Sequence, residues 1–434
     1  MQKTHEQPEF LRLVFSNLLG YTKSYEVGFD RFDEVVEHGV VIDGSSVPGY
    51  ASVNESDVLL LPSGAATPLS QPWDKSAALL LCRVHDVSGK PHPRDPMHIL
   101  QKLVDRAYER GLKLMVGAEL EFFVVGREAG NGIRPVDQGG YFSTQPQDVA
   151  LDFRRDAIRA LNAMGIGTTS HHHEVARGQQ EIGLKYADAS TAADHIMLAR
   201  MVISEMACRR GMLATFMPKP FPDQNGSGMH LHQSVWDVDG SRNLFASTEG
   251  TDISELARIY IGGLLEHAIT IAAILAPTVN SYKRLVPGFE APTRVAWGYR
   301  NRSTMIRVPH FNGAAEAARI ELRCPDGVSC PHLVIAAMLA SGLDGIERRI
   351  EPPDPTDKDL YESEVVMKSL PGSLELALDE LKRSSIMRKE LGESVVDTLV
   401  ALRTREWENY IDSTRNAESS EITEWEIERY LQAN

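Results

Sequence analysis

The chain is poor in cysteine. Its 434 residues hold four: Cys82, Cys208, Cys324 and Cys330. They form no CxxC pair, and their wide spacing suggests no disulfide framework, so reduced thiols in a cytoplasm fit best. Long apolar runs are missing as well. The longest, around Ile269–Ala276 and Val334–Leu343, are too short to span a bilayer, and the start, MQKTHEQPEF, is too polar for a signal peptide. Positive charge is in deficit: 45 Lys and Arg against 60 Asp and Glu give a net charge of −15. That argues against a nucleic-acid partner, which favours basic patches, and against an anionic membrane surface. There is no GxxxxGK[ST] phosphate loop, no kinase signature set, no internal repeat and no low-complexity tract.

What is present describes a folded chain. Apolar residues make up 42%, enough for a sizeable core, and the length allows two domains or one large one. The best boundary is KPHPRDP, Lys90–Pro96, with three prolines in seven residues; it divides an N-terminal domain, 1–93, from a second, 97–434. Before it, Val58–Pro62 and Ala77–Val84 read as strands. After it, Asp95 caps a helix, Pro96 suits its first turn and Gly111 ends it; Ile99, Leu100, Leu103, Val104 and Ala107 form its buried stripe. Leu114–Val125 reads as a strand, Asp148–Met164 and Thr191–Arg210 as helices. Further strands fall near Ala214–Met217, Met229–Val235, Ser303–Val308 and Ala318–Arg323. A second proline-rich break, Glu351–Asp357, opens a helical tail. Strands separated by helices of unequal length give an α+β chain rather than a regular βαβ array.

Six motifs carry chemistry. In GAELEFF, Glu119 and Glu121 lie two apart on a strand and share a face; side by side they repel unless a cation or proton sits between them. HHHEVARGQQEIGLKYAD places His171, His172, His173, Glu174 and Glu181 within eleven residues, a set able to hold a divalent cation, though not with the HExxH spacing of a zinc helix. NGSGMHLH offers a loop, Asn225–Gly228, whose backbone can approach a ligand, then His230 and His232 on one strand face. SYKRLVPGFEAP sets Lys283, Arg284 and Glu290 about a Pro-Gly turn. YRNRSTMIRVP brings Arg300, Arg302 and Arg307, and ARIELRCPD alternates Arg319, Glu321 and Arg323 with apolar residues. Taken singly, each also reads as an ordinary polar loop or a half-exposed strand. Together they supply ligands for two cations and more arginines than the cations need. Arginine forks grip carboxylate and phosphate, and metals beside arginines suit phosphoryl transfer.

These six motifs, in this order, with VVIDGSSVPGYASVNESD at Asp43–Asp57, resemble those of the glutamine synthetase family, of the prokaryotic type I. The resemblance runs from about Leu13 to the C-terminus. It implies a small N-terminal β-grasp domain and a larger catalytic domain with a curved antiparallel sheet flanked by helices. It implies a cytoplasmic enzyme that ligates ammonia to the γ-carboxylate of L-glutamate through γ-glutamyl phosphate, with ATP as co-substrate. It further implies two stacked six-membered rings with active sites between neighbours, the Asp43 loop reaching in from next door. Matched position by position, Glu121, Glu174 and Glu181 would hold one Mg²⁺ or Mn²⁺, and Glu119, His230 and Glu321 a second. Glutamate would lie against Asn225, the backbone of Gly226, Arg284 and Arg323. His232, Ser234, Arg307 and Arg319 would face ATP, and Arg302 the transferring phosphoryl group. Asp43, Ser46, Tyr141 and Glu290 would form the ammonium pocket, with Asp43 the proton acceptor.

The sequence departs from the family pattern in places. Thr169 stands where many members carry a glutamate, and Glu316 lies in a loop where many have a basic residue; both changes bear on ATP contacts. Leu399 matches the tyrosine that some relatives adenylylate, so that control is expected to be absent. Only about ten residues precede LRLVFSNLLG, where relatives have an additional helix, so contacts built from that helix are expected to be missing. Ile427, Tyr430 and Leu431 form an apolar stripe expected to dock onto another subunit. Two rival readings are a γ-glutamyl ligase that takes an organic amine (methylamine, ethanolamine or a polyamine) and a catalytically silent member with a regulatory role.

Overall fold

The computed structural model describes residues 7–127, 132–249, 252–362, 366–414 and 419–433. Two sheets organise it. The first is built from Phe10–Ser16 (β1), Thr22–Gly28 (β2), Val40–Asp43 (β3), Asp57–Pro62 (β4), Leu69–Gln71 (β5) and Asp74–His85 (β6). Its order is β2-β1-β6-β4-β3, with β5 on β6; β1 and β6 run parallel and the helix Phe32–His38 (α1) packs on β4. This is the expected β-grasp unit, and the expected strands at Val58–Pro62 and Ala77–Val84 lie inside β4 and β6.

The second sheet takes Lys113–Arg127 (β7), Ile133–Pro135 (β8), Thr168–His173 (β9), Gln179–Leu184 (β10), Ala187–Asp188 (β11), Leu213–Thr215 (β12), Met229–Trp236 (β13), Trp297–Tyr299 (β14), Ile306–Val308 (β15) and Ile320–Leu322 (β16). Its order is β14-β15-β16-β13-β7-β10-β9, with β8, β11 and β12 also on β7. It is antiparallel except where β14 and β15 run parallel at one edge, so the sheet is mixed rather than purely antiparallel. Around it stand Pro96–Glu109 (α2), Leu151–Ala163 (α3), Ala189–Arg209 (α4), Glu255–Glu266 (α5), Ala268–Leu275 (α6), Val279–Arg284 (α7), Pro331–Arg348 (α8), Leu374–Arg383 (α9), Ser385–Leu391 (α10), Glu393–Ser413 (α11) and Glu424–Tyr430 (α12). Among the described residues no single helix is long and apolar enough to cross a membrane.

Helix starts follow the local chemistry where the cap is local. Asp95 accepts from the Met97 and His98 amides at 2.7 and 3.2 Å, and Gly111 takes the left-handed φ of +78° just past α2. Helix α4 begins before Thr191 because Asp188 caps it, accepting the Thr191 amide at 3.1 Å. Helix α3 begins at Leu151 rather than Asp148, because Asp148 is spent on a buried pair with Arg154 (2.8 and 2.6 Å) and caps nothing. The expected helical tail follows the Glu351–Asp357 break, starting at Leu374.

One core joins the two sheets. Val14 and Leu79 of the first, with Leu18 of the turn after β1, pack with Leu100 and Leu103 of α2 and with the apolar face of β7, Leu120 and Phe122. The buried Arg200 pins the junction, donating to the carbonyls of Gly20, Gly327 and Ser329 at 2.9, 2.7 and 3.0 Å.

The C-terminal stripe corrects an expectation. Ile427 and Leu431 do not wait for another subunit: they pack on Phe123, Val125, Ala176 and Phe221 of the same chain, and the buried Tyr430 donates to Glu406 at 2.7 Å. Glu426 draws the helix in. It is fully buried and accepts from Asn280 at 2.9 Å and Lys283 at 2.6 Å.

Candidate active site

Strand register builds the site. Glu119 and Glu121 point from β7 to the face opposite Leu120 and Phe122. Glu119 is paired with His230 of β13, and Glu121 with Glu181 of β10, which in turn faces His172 of β9. On the other flank His232 is paired with Glu321 of β16, and Glu321 with Arg307 of β15. Side chains of one face of antiparallel neighbours stand about 5 Å apart, so acids, imidazoles and an arginine from six strands collect on one patch. Above it opens a cavity of about 550 Å³.

Among the expected residues, Glu119, Glu121, Tyr141, Glu174, Glu181, Asn225, Gly226, His230, His232, Arg284, Glu290, Arg302, Arg307, Arg319 and Arg323 line this cavity. Glu321 lies just beneath, fully buried. Ser234 is turned to Trp236, whose indole donates to it at 2.9 Å, and does not line the cavity. Asp43 and Ser46 lie in the N-terminal unit, away from it. There Asp43 is exposed and accepts from the hydroxyls of Ser45 and Ser46, both at 2.6 Å; these bonds hold its carboxyl below the usual range. Thr169 and Glu316 are also absent from the lining.

Among the described residues, three groups of side chains offer ligand atoms within 4.8 Å of one another: His172, Glu174 and Glu181; Glu119, Glu181 and His230; and Glu119, His232 and Glu321. Glu181 and Glu119 each belong to two groups, so neighbouring cations would share a carboxylate. Carboxylate oxygens with one imidazole suit a divalent cation. Glu121 accepts from the Gly228 amide at 2.6 Å and lies 3.6 Å from His230.

The charges are arranged in opposition. Burial, with Glu119, Glu121, Glu174 and Glu321 close by, pushes the Glu181 carboxyl up to about 10. Burial also opposes charge on Glu119, yet His230 and His232 outweigh it and hold that carboxyl well below the usual range; His232 lies at 2.8 Å. Burial opposes charge on Glu321 too, but chiefly Arg323, then His232, His230 and Arg307, bring it down to about 2. Arg323 donates to it at 2.6 Å and Arg307 from the other side. Carboxylates gathered this closely repel one another unless a cation or a proton sits between them, and the set fits a divalent ion.

The glycine loop is fixed by crowding. A Cβ on Gly226 would meet the Pro218 carbonyl at 2.3 Å, and one on Gly228 the Arg284 guanidinium at 2.6 Å. Arg284 reaches the cavity wall but is only 2% exposed, and it spends its N–H groups on backbone: the carbonyls of Cys324 (2.8 Å), Pro325 (3.3 Å) and Arg323 (3.1 Å) accept from it. It holds the chain that carries Arg323. Glu290 sits exposed at the rim with φ +56°, two residues after Gly288 at +88°.

The cavity is also lined by Phe142, Gln179 and Phe289, which the sequence does not single out, and His172 of the expected histidine–glutamate cluster stands among the candidate ligands. His172 lies 2.9 Å from Glu174, and the pairing of β9 with β10 sets it against Glu181. Phe142 stacks on Tyr141 with ring centroids 3.9 Å apart, a contact without a sequence signal.

Comparison with known proteins agrees with this geometry. The family model "Glutamine synthetase, catalytic domain" matches residues 93–430, and "Glutamine synthetase, beta-Grasp domain" matches 7–87. A glutamine synthetase of Pyrococcus abyssi is 39% identical, covering 98% of this chain and 97% of its own. One of Halobacterium salinarum is 40% identical, covering 98% and 94%. A solved GmaS/ADP complex superposes with a TM-score of 0.86 at 31% identity, over 98% of this chain and 97% of that one. With both domain models matched in order along nearly the whole chain, the chain belongs to the glutamine synthetase family.

Proposed function

We propose that this chain is a glutamate–ammonia ligase that uses ATP to activate the γ-carboxylate of L-glutamate. The observation that carries the reading is the sheet face itself: three overlapping carboxylate–imidazole groups beside Arg307, Arg319 and Arg323 on one cavity. We assign Glu121, Glu174 and Glu181 to one Mg²⁺ or Mn²⁺, with His172 adjoining, and Glu119, His230 and Glu321 to a second. Bound there, such ions would neutralise charge on phosphoryl oxygens.

The chain's own residues do the rest. Asn225, Gly226, Arg284 and Arg323 form the glutamate side, Arg284 by fixing the backbone that carries Arg323. His232, Arg307 and Arg319 form the ATP side, with Ser234 behind them, and Arg302 faces the transferring group. The γ-carboxylate attacks the γ-phosphorus of ATP and ADP leaves. Ammonium is drawn to Tyr141, Glu290 and the Asp43–Ser46 pair of a neighbouring subunit, and Asp43, kept charged by its serines, takes the proton. Ammonia then attacks the acyl phosphate and phosphate leaves. Glu290, on the loop at the rim, closes the site against water. The exposure of Asp43, away from its own chain's cavity, supports sites shared between subunits, as in the two stacked hexameric rings that the family resemblance implies. Reduced cysteines and the apolar-run pattern support a cytoplasmic location. The unit boundary at Lys90–Pro96, giving 1–93 and 97–434, is supported by β6 ending at His85 and α2 starting at Pro96.

Metal-dependent phosphate release from ATP and glutamate tests the reading, with ammonium compared against methylamine, ethanolamine and polyamines. Stimulation by ammonium supports it. Stimulation by an organic amine alone moves the chain to the γ-glutamyl-amine ligases, and silence with every acceptor leaves a regulatory role.

A further inference from the structure

Lys219 is a buried cation that this chemistry leaves unused. It is only 2% exposed, and burial, helped by Arg284 and opposed by Asp223, pushes its ammonium down to about 8. Its surroundings are specific. The ammonium lies 3.3 Å from the centroid of the Phe289 ring and donates to the carbonyl of Gln224. Gln224 precedes Asn225 and Gly226 of the glutamate side, and Phe289 lines the cavity next to Glu290. One ammonium therefore touches both the substrate loop and the loop that closes the site. Its backbone is held from behind: the Lys219 amide donates to Asn280 at 2.6 Å, Asn280 donates to the Lys219 carbonyl at 3.0 Å, and Asn280 also donates to the buried Glu426 of α12.

A lysine wanted only for packing gains nothing from its charge here, since burial of an ammonium is costly unless something attracts it. An aromatic face and a carbonyl do attract it. We propose that Lys219 is a positioning residue that ties the glutamate loop to the Leu285–Pro292 loop, so that the site stays closed over the acyl phosphate until ammonia attacks. The inference rests on the acyl-phosphate reading above. With the tie cut, water takes the place of ammonia: γ-glutamyl phosphate and water give glutamate and phosphate, and ATP is consumed without amide.

The test is the ratio of phosphate released to glutamine formed, measured with Lys219→Met, Lys219→Arg and Phe289→Leu beside the parent. Lys219→Met and Phe289→Leu are expected to raise the ratio about threefold or more, with the ATP KM unchanged and the glutamate KM raised. Lys219→Arg, which keeps a cation over the ring, restores most of the coupling. Adding Phe289→Leu to Lys219→Met changes nothing further, because both cut one tie. Thermal melting checks folding, and if Lys219→Met does not fold, Phe289→Leu on the outer loop decides. An unchanged ratio in Phe289→Leu, with an active parent, overturns the proposal. A parent that releases no metal-dependent phosphate overturns instead the reading on which it stands.

Discussion

Glu181 and Glu121 occupy directly opposed positions on the antiparallel pair β10–β7, so two buried carboxylates face each other across the cavity floor. Like charges so placed destabilise a sheet. Replacing Glu181 with Gln, the shape of its protonated form, is expected to raise the melting temperature of metal-free protein. It is also expected to weaken binding of Mg²⁺ or Mn²⁺ by at least about tenfold. Melting curves with and without metal check both. A variant that binds metal as tightly as the parent would remove Glu181 from the ligand set.

Arg284 is expected to act on stability and substrate together. Arg284→Met leaves three carbonyls without their donor in a buried place, which costs about 3 kcal/mol, and loosens the segment that carries Arg323. Denaturant unfolding should register the loss and the glutamate KM should rise, while a stable variant with unchanged KM would show that the 323–325 segment holds itself.

Asp43 provides a test of sites shared between subunits. Asp43→Asn and Glu119→Ala are each expected to lose about a hundredfold or more in turnover. Mixed and reassembled, they should regain activity, because some sites then draw an intact Asp43 from one chain and an intact Glu119 from another. No recovery, with assembly verified by sedimentation, would place both residues in one subunit's site.

His332 predicts a pH dependence away from the site. Burial opposes its charge, but Asp194, 2.9 Å away, and the Cys330 thiol outweigh it and bring the imidazole up to about 9. Its folded value lies above the unfolded one near 6.5. The stabilisation is therefore complete below about pH 6.5 and lost as pH rises through 9. Unfolding followed at pH 6.5 and 9.5 should show this decline in the parent and a shallower one in His332→Gln; equal slopes would mean that the pair does not titrate in that window.

Local rules made much of this legible in the sequence. Asp95 caps α2 through bonds to residues two and three along the chain, and the period of two sets Glu119 and Glu121 on one face. Order and spacing of the motifs carried the family. What escaped depended on distant partners. Asp148 leaves the start of α3 because Arg154, which also reaches Gln180 of β10, claims its carboxylate. The α12 stripe finds Phe123 and Phe221, some 200 to 300 residues earlier in the chain, where the sequence shows only an apolar face in need of cover. Arg284 reads as a ligand-binding fork until the carbonyls of 323–325 come into view. Lys219 stands in PKPFP with no signal at all, and acquires a role only when Phe289 is folded onto it.

The central claim is that glutamate is activated as an acyl phosphate in this cavity. Glutamate carrying ¹⁸O in its γ-carboxylate tests it most directly, with ATP, ammonium and Mg²⁺ or Mn²⁺ present and the released phosphate weighed by mass spectrometry. Attack of the carboxylate on phosphorus leaves one labelled oxygen in the phosphate for each glutamine formed, and that is the predicted result. Glutamine formed with unlabelled phosphate would contradict the account.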